Sequence, residues 1–170
     1  MAETIIDVNV EKQYNKDAQL FAMYALMSRF VPEYRDGLKP VHRRLMYAMY
    51  GVEKAIDRTV KSARIVGAVV GKFHPHGDAA VYGAVKPLVN WFEINKPLID
   101  AQGEFGSITG SNAAQMRYTE IKLSKFAKDC VIGELEETNN IIDWVPTYDN
   151  SAKEPKFLPV NIPIPLINLS

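Results

Sequence analysis

The sequence GKFHPHGD at residues 71–78 decides the fold, because it separates two helical patterns with a short, polar turn. Upstream, residues 59–70 place Ile65, Val66 and Val69 on one face of a predicted helix, as helical periodicity requires. Downstream, a further helix is predicted to begin near Asp78, where an aspartate can cap the first turn. A helix, a turn and a second helix whose start is flanked by His and Lys are typical of a helix-turn-helix DNA-binding motif.

The helix before this motif is predicted at residues 41–52, after the turn RDGLKP at 35–40. Glycine supplies the turn's positive φ, and Pro40 fits the first turn of a helix. His42, Arg43 and Arg44 then occupy that first turn, where cations oppose the helix dipole. Bound phosphate at the same place would remove this cost.

The remaining segments extend the pattern on both sides. A helix is predicted from Asp17 to Arg29, with Asp17 as its cap, after an extended or irregular start at residues 1–13. The segment 98–111, with three glycines between short apolar runs, predicts a β-wing. Residues 121–135 return to helical period, and the prolines of residues 157–169 predict an extended end. The predicted fold class is therefore mainly α with a small β-wing (α+β), a winged helix.

Charge is balanced overall but unevenly distributed. The chain has 170 residues with 20 Lys+Arg and 20 Asp+Glu, enough for about one domain. Residues 29–76 contain ten Lys/Arg against four Asp/Glu, whereas residues 120–155 contain four against eight. One cationic face on a neutral protein is compatible with nucleic-acid binding, although scattered solvated lysines would give the same counts.

Cys130 is the only cysteine, so an intramolecular disulfide and a cysteine-based zinc site are excluded. Glu3 and Asp7 stand where a signal peptide would need apolar residues, and no stretch approaches the ~20 apolar residues of a membrane span. We therefore expect a cytoplasmic protein with no membrane contact.

Two other patterns suggest binding sites less strongly. The segment GAVVGK at residues 67–72 is one residue too short for a P-loop, and Phe73 stands where Ser or Thr should bind magnesium. His74 and His76 could form a metal pair, a structural pair or a phosphate-facing pair, and no third metal ligand stands at a recognisable spacing. Asp78 fits a helix cap better than a catalytic carboxylate.

The sequence AQMRYTE, residues 114–120, carries the strongest candidate for chemistry. Tyr118 can attack phosphorus if its proton is removed, and the neighbouring Arg117 can stabilise charge on the phosphoryl oxygens. A half-buried structural tyrosine would look the same in isolation.

Five blocks together resemble one family: RDGLKPVHRR at 35–44, KSARIVG at 61–67, GKFHPHGD at 71–78, QGEFGS at 102–107 and AQMRYTE at 114–120. In this order and at these separations they are similar to the A subunit of bacterial type IIA topoisomerases, DNA gyrase and topoisomerase IV. The resemblance covers nearly the whole chain from about Val8 to Ser170.

The resemblance implies a winged-helix catalytic domain that breaks and rejoins DNA. Tyr118 would be the nucleophile that forms a 5′-phosphotyrosyl link, and Arg117 would stabilise the pentacovalent phosphorus. Double-stranded DNA would be held through its backbone, and sequence preference would come mostly from bendability. The positions that match the family's cationic DNA-binding surface are Arg29, Lys39, His42, Arg43, Arg44, Lys72, His74 and His76.

The resemblance also implies partners and cofactors outside this chain. Magnesium would be held by the toprim domain of a B-type subunit, which would also use ATP, and the full-length A-type subunit would form a homodimer. The expected division is residues 1–28 as an N-terminal arm and partner-docking helix, 29–155 as the catalytic domain, and 156–170 as an extended segment leading to the family's tower domain. The helix from Asp17 to Arg29 could dock the partner or serve only the core.

Three departures from the family pattern alter these expectations. The sequence ends at Ser170, where the family continues into the tower domain, so we expect weak DNA binding and no complete strand passage. Ala79 and Gly83 replace a serine and an acidic residue that anchor quinolone drugs in the family, which predicts resistance. Pro87 predicts that the recognition helix ends or kinks one turn early.

Two competing functions remain open at this point. A winged helix that lost turnover could bind DNA or the B-type subunit as a decoy, although a decoy has no need of Tyr118. A transcriptional regulator would need base-reading polar side chains, and the residues from Ala79 to Val85 offer few.

Overall fold

The two helices around residues 71–78 form as the sequence predicts. The structure is a computed structural model that describes residues 9–135, 137–138 and 140–168. Helix α3 covers Ser62–Lys72 and helix α4 covers Asp78–Val89. Their apolar positions pack inward because they recur at helical spacing. The buried residues on these faces are Ile65, Val66 and Val69 of α3 with Val81, Val85 and Leu88 of α4.

The boundaries of these helices differ from the prediction. The helix predicted from residue 59 begins only at Ser62, because residues 60–61 pair as a strand with residues 120–121, and it continues through Lys72 into the predicted turn. Gly77, not Asp78, occupies the cap position of α4, and the Asp78 carboxylate accepts a hydrogen bond from the Ala79 amide at 2.8 Å. The helix does not end early at Pro87, because α4 continues to Val89, so that part of the prediction is wrong. A kink at Pro87, the alternative, stays a prediction. The proline removes one intrahelical bond, that of its own missing N–H, and the carbonyl left unpaired belongs to the exposed Gly83. Burial of Leu88 holds the last turn in place.

A three-stranded antiparallel sheet forms the wing. Its strands are β1 (Val60–Lys61), β2 (Ile99–Gln102) and β3 (Glu120–Leu123), in the order β1-β3-β2. Strand β3 lies in the middle, with Ile121 opposite both Val60 and Ala101. Of these strands, only β2 therefore lies in the wing predicted at residues 98–111, and its partner β3 follows Tyr118.

The predicted helix at residues 121–135 is wrong at both ends, because residues 121–123 belong to a strand and the helical segment ends at Ile132. Ile121 and Leu123 are buried while Lys122 between them is not, so buried and less buried side chains alternate with the period of two that a strand has. The helix α5 starts only at Lys125–Ala127, after Ser124 accepts the Ala127 amide at 3.1 Å as its cap. It continues as a π-helical turn over Lys128–Ile132.

Helix α2 spans Pro40–Tyr47 and continues as a π-helical turn over Ala48–Val52, which confirms the helix predicted at residues 41–52. A hairpin of β4 (Trp144–Pro146) and β5 (Lys153–Pro155) follows α5. Residues 164–168, predicted to be extended, form helix α6 (Ile164–Asn168) instead. Pro165 lies in its first turn, where a missing N–H costs nothing; Leu169 lies outside the described residues.

The chain divides into two units, one ending at Val31 and the other beginning at Pro32. The first contains helix α1, Val10–Ala25, which continues as a π-helical turn over Leu26–Phe30. The helix predicted from Asp17 therefore begins seven residues earlier, where Asn9 accepts the Lys12 amide at 2.9 Å as the cap. Residues 10–13 are helical rather than extended, and residues 1–8 lie outside the described part.

Candidate functional site

Tyr118 lies on a short loop that enters the central strand of the sheet. We call residues 114–119 the tyrosine loop. Its turn is closed by the Tyr118 amide, which donates to the Gln115 carbonyl at 2.9 Å. Tyr118 is 65% exposed, and the Arg117 guanidinium carbon lies 4.8 Å from the centroid of its ring. A phenol that a large substrate can reach thus has a cation beside it.

The backbone of helix α3 holds the second half of this loop. The Ser62 amide donates to the Thr119 carbonyl at 3.0 Å, and the Ala63 amide donates to the Met116 carbonyl at 3.2 Å. These are the first amides of the helix, which have no partner within it. The residues around Tyr118 are therefore attached to the first helix of the helix-turn-helix motif.

The last residue of α3 and the turn before α4 carry three predicted DNA-binding residues, Lys72, His74 and His76. Lys72 and His76 are exposed, and His74 is half-buried. The two imidazole rings lie 4.3 Å apart between centroids. Arg44 Nη1 lies 2.7 Å from His74 Nδ1, which brings helix α2 to the same turn.

Two arginines predicted to meet phosphate are already paired with carboxylates. The Arg43 guanidinium donates to both oxygens of the buried Asp36, at 2.6 and 3.0 Å, and to the Leu38 carbonyl at 2.9 Å. Arg44 donates to Glu154 from Nη2 at 2.7 Å and from Nε at 2.8 Å. The contact between Arg44 and Glu154 could not be predicted from the sequence, because no spacing rule connects residues that are 110 positions apart. Contact of either arginine with DNA stays a prediction.

His42 is half-buried in a small apolar cavity of about 110 Å³. Burial lowers the pKa of this imidazole to about 4, and the nearby Lys39 and Arg43 contribute to the same shift. The ring is therefore neutral at pH 7, while half-buried Lys39 occupies the cap position of α2. A neutral His42 can donate or accept a hydrogen bond, but it adds no positive charge to this surface.

Three other predicted positions are exposed. Arg29 belongs to the N-terminal unit, in the π-helical turn that follows α1. Ala79 and Gly83 lie on the outer side of α4. A Cβ built at Gly83 would meet no atom within 4 Å, so a side chain fits there without displacing a neighbour.

Within residues 9–135, 137–138 and 140–168, no three His, Cys, Asp or Glu side chains are grouped so that they could hold a metal ion. In the same ranges, no helix has both the length and the apolar character needed to cross a membrane.

Comparison with known proteins identifies a consistent set of relatives. The family model for the A subunit of DNA gyrase and topoisomerase IV matches residues 29–170. The gyrase A subunit of Buchnera aphidicola is 45% identical over 165 residues, covering 96% of this chain and 20% of that protein. The corresponding subunits of Pseudomonas aeruginosa and Escherichia coli are each 43% identical over 169 residues, covering 99% of this chain and 18% and 19% of theirs. The chain thus spans about a fifth of the length of these relatives.

Proposed function

Since this chain belongs to the family of DNA gyrase and topoisomerase IV A subunits, we propose that the unit beginning at Pro32 is the DNA cleavage and religation domain of a type IIA topoisomerase. The observation that carries this proposal is the exposed Tyr118 phenol beside Arg117, on a loop attached to the helix-turn-helix. A buried tyrosine could not reach a duplex.

The proposed reaction is a reversible transfer of a phosphoryl group. The Tyr118 oxygen attacks the phosphorus of a DNA phosphodiester and loses its proton. The bond from phosphorus to the 3′ oxygen breaks, and that oxygen gains a proton to become a free 3′-hydroxyl. The 5′ end remains linked to the tyrosine, and attack by the 3′-hydroxyl reverses every step.

Arg117 would act by electrostatics. Negative charge accumulates on the phosphoryl oxygens in the transition state, and a fixed guanidinium there is stabilising because it needs no reorganisation. Its position over the Tyr118 ring keeps it within reach of the phosphorus that the phenol attacks. Removing one such group typically costs about 100- to 1,000-fold in rate.

The duplex would be held through its phosphates by the exposed residues at the end of α3 and in the turn before α4. Lys72 and His76 face solvent there, and the short side chains of Ala79 and Ala80 allow a backbone to approach the start of α4. Phosphate contacts of this kind position DNA without reading its bases. The other residues that we place in the same DNA-binding role are Arg29, Lys39, His42, Arg43, Arg44 and His74.

Partners would complete the enzyme. We place the magnesium ions and the use of ATP in a B-type subunit, and the protein in the cytoplasm as a homodimer of the full-length A-type subunit. No residue of α1 is buried, and Phe21, Tyr24 and Met27 are exposed in that unit, which supports its role as a docking helix for the B-type subunit.

A labelled-DNA assay tests the proposal. The chain is mixed with a toprim-containing B-type subunit, magnesium and duplex labelled at either end of one strand, and the mixture is quenched with detergent. We expect a protein-linked band from the 3′-labelled strand only, because the 5′-phosphotyrosyl fragment carries that label. Tyr118→Phe should abolish it.

Tyr34→Phe is the matched control, since Tyr34 is 82% exposed and also has a neighbouring arginine, Arg35, at 5.4 Å from its ring centroid. This variant should form the adduct like the unmodified chain. An adduct that persists in Tyr118→Phe, or one that retains the 5′ label, would contradict the mechanism. Absence of any adduct while DNA or the B-type subunit still binds would favour the decoy.

A further inference from the structure

Three buried hydroxyl groups meet behind the tyrosine loop. Thr119 Oγ1 donates to Ser62 Oγ at 2.8 Å, and the Tyr82 hydroxyl lies 3.0 Å from Thr119 Oγ1. Ser62 and Thr119 are completely buried, and Tyr82 is 9% exposed. We call these three residues the hydroxyl chain.

The hydroxyl chain connects three separate elements. Ser62 is the first residue of α3, Tyr82 lies in the second turn of α4, and Thr119 directly follows Tyr118. The Tyr82 hydroxyl also donates to the Ala114 carbonyl at 2.8 Å. One phenol therefore contacts residues at both ends of the tyrosine loop, 114 and 119.

The other side of Thr119 packs against Gly103, which directly follows strand β2. A Cβ at Gly103 would lie 2.9 Å from Thr119 Cγ2, so only glycine allows this approach, and its φ of +114° is also one that glycine tolerates best. Thr119 is thus held by hydrogen bonds on one side and by close packing on the other. Its backbone has little freedom to move.

A buried hydroxyl is unfavourable unless it forms hydrogen bonds within the protein. Each loses its hydrogen bonds to water on burial, and an apolar residue of similar size would pack there without this requirement. What the hydroxyls add is direction, because a hydrogen bond fixes the relative orientation of the groups that it joins. The group oriented here is the residue next to the proposed nucleophile.

We propose that Ser62, Tyr82 and Thr119 are positioning residues that fix the tyrosine loop and thereby aim the Tyr118 phenol and the Arg117 guanidinium at the same phosphorus. This inference rests on the proposed cleavage function. The hydroxyl chain does not touch DNA; it acts through the backbone of the loop. A displacement of about 1 Å at a reacting group can cost about 100-fold in rate.

Two variants remove hydroxyls while preserving shape: Tyr82→Phe and Thr119→Val. Thr147→Val is the matched control, since Thr147 is also buried, at 2% exposure, and its hydroxyl donates to Asp149 at 2.7 Å in the β4–β5 hairpin. Thr147→Val should lower the free energy of unfolding by about as much as the two test variants do, without affecting the tyrosine loop. The measurements are the single-turnover rate of adduct formation with the B-type subunit, the Kd for duplex, and amide exchange of Ala63.

We expect Tyr82→Phe and Thr119→Val to slow adduct formation by about 10- to 100-fold, with the Kd for duplex changed by less than about twofold. Exchange of the Ala63 amide, which donates into the loop, should accelerate about tenfold relative to the Met46 amide of α2. The double variant should be no slower than the slower single variant, because both hydroxyls hold the same loop.

The proposal is overturned if these variants behave like Thr147→Val in both rate and Ala63 exchange, or if they lose duplex affinity and adduct rate in parallel. If the unmodified chain forms no adduct, the cleavage function fails. Ala63 exchange then decides separately whether the hydroxyl chain holds the loop.

Discussion

Arg44 and Glu154 form a bidentate ion pair that joins helix α2 to the β4–β5 hairpin. The carboxylate accepts from Nη2 at 2.7 Å and from Nε at 2.8 Å. The third nitrogen, Nη1, lies 2.7 Å from His74 Nδ1, so the same guanidinium contacts the turn before α4. The charge of Arg44, next to the helix-turn-helix, is thus balanced by a carboxylate from the acidic stretch at residues 120–155.

Replacing Glu154 should therefore strengthen DNA binding. In Glu154→Gln the Arg44 charge is no longer balanced, and an additional phosphate contact makes the salt dependence of log K steeper by about one. Binding titrations at several salt concentrations measure this slope. Asp57→Asn is the control, because it removes the same charge from an exposed pair with Lys128. An equal slope change in both variants would show a general charge effect only.

The buried pair of Asp36 and Arg43 should be necessary for stability. The Asp36 carboxylate also accepts the amides of Leu38 and Leu158, each at 2.9 Å, so it connects the turn, α2 and the segment after β5. Asp36→Ala leaves the Arg43 charge buried without its carboxylate. We expect the free energy of unfolding to fall by about 3–5 kcal/mol, measured by urea denaturation.

The double variant Asp36→Ala, Arg43→Met separates charge from packing. It removes the unpaired charge and should recover part of the lost stability. If instead the double variant is no more stable than Asp36→Ala, the loss comes from the backbone contacts of Asp36. A loss below about 1 kcal/mol in the single variant would contradict a buried role for the pair.

These two pairs also show where sequence reasoning ends. Periodicity and turn chemistry locate α2, α3 and α4, because a helix reports its buried face every three or four residues. The pattern from Ile121 onward misleads, since two apolar residues are too few to establish a period, and pairing with β2 decides for a strand. The motif around Tyr118 can be recognised locally. Which cations are already neutralised depends on contacts with residues far away in sequence, such as Glu154.

His42 should make stability depend on pH. Its pKa in the folded protein is about 4, below the ordinary 6.5. The unfolded chain therefore takes up a proton near pH 6.5 that the folded protein resists. The free energy of unfolding is unaffected above that pH and falls as the pH drops towards 4. Between pH 7 and 5 the loss is at most about 2 kcal/mol.

Urea denaturation at pH 7, 6 and 5 tests this dependence, with His42→Gln as the control. The variant lacks the titrating ring, so its free energy of unfolding should not show this loss. The free energy of unfolding of the unmodified protein minus that of the variant should therefore become smaller as the pH falls. A difference that stays constant over this range would mean that the folded protein accepts the proton on His42 at little cost.

Gly83 offers a separate test of helix α4. It lies in an exposed helix interior, with no atom near its missing Cβ. Gly83→Ala should raise the free energy of unfolding by about 0.5–1 kcal/mol, because alanine has less backbone freedom to lose. Thermal unfolding should show a higher Tm, and a lower one would indicate a contact that α4 makes only when glycine is present.

Quinolone response should change with the same position. The family resemblance implies that a serine and an acidic residue at positions 79 and 83 would anchor the drug's water-metal bridge, and the side chains of Ala79 and Gly83 cannot accept those hydrogen bonds. We expect no drug-stabilised DNA breaks with the unmodified chain in a complete enzyme. The double variant Ala79→Ser, Gly83→Asp should produce them, since the space around Gly83 admits a carboxylate. Gly83→Ala fills the same space without an acceptor and should stay resistant. Sensitivity of the unmodified enzyme at ordinary drug concentrations would mean that the bridge is anchored by other residues.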